Sequence, residues 1–246
     1  MSKPAPKFYV GTSGWSYQHW KSVFYPDDLP FKKWFGFYTR EFSTVEINAT
    51  FYRFYEKQTY QNWYDKAPEK FIYVLKTPRL ITHRKKLLNV QEDIRIFWEN
   101  ASALQEKLGL YLLQLPPKLP YDPNRLLEAI LAFPDPERLV IEFRDQQWYN
   151  AEIRNILKKT GSTFCSIDAP GFNLVDWTTS ETGYIRLHGR NSWYGENYEH
   201  SQLMEIRQIA RQMTKNGANQ VFVFFNNDID GHAAKNALDL SRLLTT

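Results

Sequence analysis

Polar side chains that can move protons or hold charge recur two residues apart at the ends of strand-like segments. Glu46 and Asn48 alternate in VEINATFY, Glu142 and Arg144 in EFR, Ser166 and Asp168 in TFCSID, and Arg186 and His188 in YIRLH. Lys76, Gln114 and Asn226 close three further segments. Glu46, Glu142, Asp168 and His188 are the candidate acids and bases, because general acid–base work needs carboxylates or imidazoles with separated pKa values. Two carboxylates about 5 to 9 Å apart would suit hydrolysis of a glycosidic bond. Lys76, Arg144, Arg186 and Arg190 would bind an anion and repel a metal cation. Ser13 in GTSGW, Asn48, Gln114, Asn226 and Asn227 add hydrogen-bonding groups, and Trp15, Trp148 and Trp193 each follow a strand-like segment. Flat aromatic faces over polar groups suit a sugar ring or a base. The competing reading is a self-satisfied ring of ion pairs with tryptophans that merely pack their loops.

These residues need elements to position them. Alternation and β-branched or aromatic runs mark strands at 8–13, 44–49, 71–76, 109–114, 139–144, 163–168, 184–188 and 220–226. Helical periodicity fills most gaps, most clearly at 90–107, 123–132, 150–160, 200–215 and 231–244. Lys159-Thr160-Gly161 and Asn216-Gly217 read as helix stops. Eight such units predict an α/β fold, a (β/α)8 TIM-barrel-like single domain over 8–246 after a tail at 1–7. An open doubly wound sheet is the alternative. The stretch APGFNLVDWTTSETG after Asp168 is too short and too poor in helix formers, so the sixth helix should be irregular or missing.

In a barrel, alternate strand residues face inward. That parity turns Val45, Ile47 and Ala49 toward the helices, and Glu46, Asn48 and Thr50 inward. It also places Lys76, Gln114, Glu142, Arg144, Ser166, Asp168, Arg186, His188 and Asn226 on the inner face, with Ile167 outside. Apolar Ile72, Val74, Leu110, Leu112, Phe222 and Phe224 occupy the earlier inner positions. Buried ions cost several kcal/mol without compensation, so polar groups gathered at one rim favour a site. Trp34, Tyr38 and Phe42 share one helix face and read as core, as does Trp98.

The formal charge of +4, with 31 basic and 27 acidic residues, lacks a basic block. It gives nucleic-acid partners only weak support. No apolar run reaches the roughly 20 residues of a membrane span, and MSKPAPKFYV has no secretory apolar region. A lone cysteine, Cys165, fits a buried thiol in a reducing cytoplasm. Oligomeric state is not encoded legibly. Among five histidines only His188 ends a strand facing inward. His83 follows the third strand in ITHR, and His19 and His232 lie in loops. HxH, HxxE and HExxH patterns do not occur. The reading therefore assigns no metal ligands and no cofactor. GTSGW is not the GxSxG of a nucleophile elbow, and its glycines would let backbone approach a ligand.

GTSGW (11–15), VEINATFY (45–52), QLPP (114–117), EFR (142–144) with Trp148, YIRLHG (184–189) and FNNDIDGHAAKNA (225–237) resemble the YecE-like family, domain of unknown function 72. The resemblance runs from Phe8 to Leu244 and implies a TIM-barrel-like fold but no activity. The family pattern continues EFR with His, whereas this chain has Asp145. The leading expectation is a metal-independent hydrolase or lyase for a sugar-like or phosphorylated substrate, with Arg186, Arg190 and Asn226 at an anion-binding end. Asp230 would cap the helix that follows. The alternatives are a metal-dependent phosphodiesterase resembling endonuclease IV and a non-catalytic binder of a ligand or nucleic acid.

Overall fold

A computed structural model describes residues 5–245. Eight strands alternate with helices: β1 (Lys7–Thr12), β2 (Thr44–Ile47), β3 (Ile72–Lys76), β4 (Leu108–Gln114), β5 (Leu139–Glu142), β6 (Thr163–Asp168), β7 (Thr182–Leu187) and β8 (Gln220–Phe225). The helices are α1 (Trp34–Glu41), α2 (Ala49–Tyr52), α3 (Lys57–Lys66), α4 (Gln91–Ala101), α5 (Pro123–Leu131), α6 (Ala151–Thr160), α7 (His200–Lys215) and α8 (His232–Thr245). The sheet order β1-β8-β7-β6-β5-β4-β3-β2 is that of a (β/α)8 TIM-barrel-like domain. No helix separates β6 from β7, as the sequence predicts. Residues 1–4 of the expected tail lie outside the described residues, and Lys7 already pairs in β1. Among the described residues, no helix is long and apolar enough to cross a membrane.

Two compact units make up the chain, Met1–Glu46 with Ser166–Thr246, and Ile47–Cys165. In the first, β8 is flanked by β1 and β7, paired in parallel from Lys7–Gln220 to Thr12–Phe225 and from Thr182–Gln220 to Leu187–Phe225. β1 and β2 meet at a single Ser13–Glu46 bridge. There a Cβ on Gly11 would lie 2.5 Å from the Thr44 carbonyl oxygen, so only glycine allows the approach. The GTSGW glycine expected to admit a ligand admits the protein's own second strand instead. Outside the sheet, Trp34, Tyr38 and Phe42 are buried, and the Tyr38 hydroxyl reaches Thr12 and donates to the Thr44 carbonyl.

The second unit pairs β3 with β4, β4 with β5 and the start of β6 with β5. Its helices start on side-chain caps where the sequence supplies them. Asp122 accepts from the Arg125 N–H and Asn150 from the Ile153 N–H, meeting donors that a first turn leaves open. Gly161 ends α6 at φ +72°, a left-handed conformation that suits glycine. Trp98 is half-buried rather than core, and its indole donates to Asp135.

β6 departs from the expected parity. Phe164 pairs with out-facing Ile141 and packs on Phe143 and Tyr149, while Cys165 Sγ lies 3.9 Å from Glu142 Oε2. Cys165 and Ile167 therefore face inward, and Ser166 and Asp168 face outward. The physical reason is the missing helix. A loop covers the outside of β6, and loop backbone needs polar partners: Ser166 Oγ accepts from the Val175 N–H at 2.8 Å. Every residue of TFCSID is buried, so hydrophobicity carries no sign of which face is which.

Candidate functional site

In the unit holding both termini, Glu46 is fully buried and saturated. It accepts from Ser13 Oγ at 2.6 Å, from the Tyr184 hydroxyl at 2.6 Å, and from Arg186 through Nε at 3.0 Å and Nη2 at 2.6 Å. Arg186 is equally buried. A carboxylate has about four lone-pair sites, and these donors occupy them. Glu46 holds β1, β2 and β7 together and has no acceptor capacity left for a substrate proton, so the expected acid–base role does not fit its geometry. Ser13 belongs to the same clamp. Tyr184 was not singled out from sequence, although it lies two residues before Arg186 on the same face.

Beyond the clamp, His188 Nε2 lies 3.4 Å from Arg186 Nη1, and the side-chain amide of Asn226 lies 3.1 Å from Nδ1. It is the amide nitrogen of Asn226, Nδ2, that faces the ring. Trp193 and Tyr194 pack near His188, with ring centroids 5.5 and 5.7 Å away. A Cβ on Gly189, at φ +97°, would fall 2.4 Å from the Ser192 carbonyl oxygen, so the turn that carries Trp193 requires glycine.

Five expectations in this unit need correction. Asp168 faces the α7 side, where Arg190 Nε donates to it at 2.9 Å while Arg190 Nη2 meets Glu205 at 2.8 Å. Burial raises the Asp168 carboxyl above its ordinary range, and Arg190 opposes the rise. Arg186 and Arg190 thus serve separate carboxylates and do not form an anion-binding end with Asn226. Asn227 is buried and structural, donating to the Glu196 carbonyl and to Asn236 Oδ1. Asp230 is no helix cap; it adopts φ +66° and is exposed. Trp15 is half-buried against Phe31 and Phe35.

A cleft of about 450 Å³ opens in this same unit, lined by Tyr17, His19, Tyr194, Asn226, Asp228, Ile229 and Asp230. His19 Nε2 lies 3.0 Å from Asp228 Oδ2, and the Trp20 indole donates to Oδ1 at 2.6 Å. Burial raises the Asp228 carboxyl, against the Trp20 hydrogen bond and His19. Of its lining residues, the sequence reading selected only Asn226 as a site residue.

The second unit gathers a different set. Lys76 ends β3 with its ammonium 4.3 Å from the centroid of Phe51, and His83 meets the same ring edge-on at 5.0 Å. His83 lies in a single π-helical turn, Leu80–Arg84, with Nδ1 2.8 Å from Thr82 Oγ1. Its imidazole pKa falls below the usual 6.5, first through burial and then through the charges of Lys76 and Arg144; Glu142 partly offsets them and Arg79 adds to them. Arg144 Nε donates to the fully buried Glu142. Gln114 is buried and donates to its neighbour's carbonyl at Leu115. Asn48 lies just before α2, and its buried Oδ1 has no hydrogen-bond partner. Trp148 is buried and stacks on Phe143, so it offers no face to a substrate. Asp145, where the family pattern has His, caps the turn before Trp148 by accepting from the Gln147 N–H. Phe51 and Arg79 escaped the sequence reading because they lie outside the strands whose parity was followed. Among the described residues, no group of three or more His, Cys, Asp or Glu side chains is placed to hold a metal ion.

The model for the family described as protein of unknown function DUF72 matches residues 9–246. UPF0759 protein YunF of Bacillus subtilis is 23% identical, covering 96% of this chain and 94% of its own. UPF0759 protein YecE of Escherichia coli is 27% identical over 44% of this chain and 37% of its own length. A crystal structure of a DUF72 family protein from Thermotoga maritima superposes with a TM-score of 0.89 at 29% identity, over 98% of this chain and all of that one. A xylose isomerase domain containing protein from Salmonella typhimurium, 11% identical with a TM-score of 0.54 over the full length of both chains, shares the fold alone.

Proposed function

The chain thus belongs to the DUF72 family, whose description names no activity, and from its own geometry we propose a metal-independent hydrolase or lyase for a small phosphorylated substrate. The carrying observation is His83, packed with Lys76 against the ring of Phe51 and surrounded by the charges of Arg79 and Arg144. Three cations favour a substrate anion. The same cations resist protonation of the imidazole, so His83 is a neutral base near pH 7, ready to take a proton from water or from a carbon acid. Arg144 is aimed by its bond to buried Glu142, which makes Glu142 a positioning group.

The test is a screen of phosphorylated metabolites with mass-spectrometric detection of turnover. His83→Gln should lower kcat by about 10²–10⁴-fold while leaving KM nearly unchanged, the signature of a lost proton transfer. Turnover that survives in His83→Gln removes His83 from the chemistry. Phosphate binding without turnover of any substrate moves the protein to the class of ligand binders.

A further inference from the structure

The cleft beside His19 lies wholly in the unit that holds both termini, and it has a chemistry of its own. None of its seven lining residues is Lys or Arg, and Asp230 faces solvent there. An anion would find no countercharge. A cation fares little better, because both oxygens of Asp228 are engaged, one by His19 and one by the Trp20 indole. What the cleft offers is neutral hydrogen bonding between aromatic and apolar surfaces. Asn226 faces His188 with its amide nitrogen and brings its carbonyl oxygen as a further acceptor. His19 has a second ring nitrogen, and Tyr194 carries a hydroxyl, while that of Tyr17 donates to the Ser13 carbonyl.

The apolar side of the cleft is unusually open. Tyr194, Ile229 and neighbouring Trp193 are among the exposed large hydrophobic residues. Tyr194 also holds φ +69°, a left-handed conformation that is strained for a bulky residue. Two backbone bonds fix it there: its N–H donates to the His188 carbonyl at 2.6 Å, and its carbonyl accepts from the Ile229 N–H at 2.8 Å. The strain is thus maintained where it presents an aromatic ring at a cleft. A volume of about 450 Å³ falls within the roughly 300–1,000 Å³ typical of small-molecule sites.

We propose that this cleft binds a neutral polyhydroxylated ring, a sugar or cyclitol, stacked against Tyr194 and hydrogen-bonded by Asn226 and His19. Hydroxyls both donate and accept, which matches this mixed set, and ring C–H faces suit an aromatic wall. The assignment does not rest on the reading of His83, whose residues belong to the other unit.

Trp20 supplies the reporter, since its indole N–H is bonded to the carboxylate that orients His19. Xylose, glucose and myo-inositol should each be titrated into the full chain while the Trp20 indole signal is followed by NMR. The expected result is a saturable shift with at least one of the three, and affinity about tenfold weaker in His19→Ala and in Tyr194→Ala, as loss of one hydrogen bond or one ring contact implies. His19 and Tyr194 are exposed enough for both variants to fold, and an unperturbed set of remaining indole signals checks this. No saturable shift with any of the three overturns the proposal. So does binding confined to choline, adenosine or inorganic phosphate, or binding unchanged in both variants.

Discussion

His83 and His19 both lie in short helical turns set against an aromatic ring, yet their charged surroundings are opposite. His83, in Ile47–Cys165, answers to Lys76, Arg79 and Arg144 with one carboxylate, Glu142, in opposition. His19, in the other unit, lies on Asp228 in a cleft with Asp230 and no lysine or arginine. One imidazole is discouraged from taking a proton, and the other is held by a carboxylate. The difference follows from what ends the nearby strands: Lys76 closes β3 and Arg144 follows β5, whereas β8 runs into Asn-Asn-Asp. A fold built from one repeated unit can thus present two electrostatic surfaces simply by changing the residue at each strand end. Identical side chains then sit in different electrostatic surroundings.

The largest test concerns the frame that supports the acid-lined cleft. Arg186→Ala leaves Glu46 buried without its main partner, and should cost about 3–5 kcal/mol in urea denaturation. Arg190→Ala should cost clearly less, because Arg190 is partly exposed and Asp168, already shifted upward by burial, can take up a proton instead. Equal losses would mean that the Glu46 clamp is no more essential than a surface pair.

Next in size is the sorting of ligands between the two regions. Inorganic phosphate should perturb the His83 ring signals and leave the Trp20 indole unmoved. Lys76→Met should weaken that phosphate binding by about tenfold or more, the scale of one charge-assisted hydrogen bond. Phosphate that moves Trp20 as strongly as His83 would erase the contrast.

The smallest effects are in proton binding. Because the folded pKa of His83 lies below 6.5, the unfolded chain takes up its proton first as pH falls. This contribution to stability is complete above 6.5 and declines from there toward the folded value. His83→Gln should flatten that part of the stability–pH curve. Lys76→Met should raise the His83 pKa, as read by NMR; a fall would reverse the sign assigned to Lys76.

Much of this was readable before any coordinates. All eight strands fall within two residues of their expected positions, because alternation and β-branched runs are strong signals. The missing sixth helix was legible from composition alone. α3 was not, since KQTYQNWYDK is mostly polar and buries only Tyr60 fully. Parity placed Glu46 with Arg186 and Gln114 alongside Glu142 correctly. It failed on β6 because a strand buried on both faces does not advertise its inside. The cleft lay beyond reach for another reason. His19 and Asp228 are 209 residues apart, and nothing local in either loop announces the other.

The register of β1 has a consequence for the order in which the chain is made. Lys7 pairs with Gln220 and Thr12 with Phe225, while the contact with β2 is one bridge. On the ribosome, then, β1 is made well before β8, the strand it pairs with along its length. Until β8 emerges, β1 lacks its main neighbour and exposes an edge able to pair with another nascent chain. Interrupted translation before β8 should therefore yield an aggregation-prone fragment, and molecular chaperones that shield early strands have their natural client interval here.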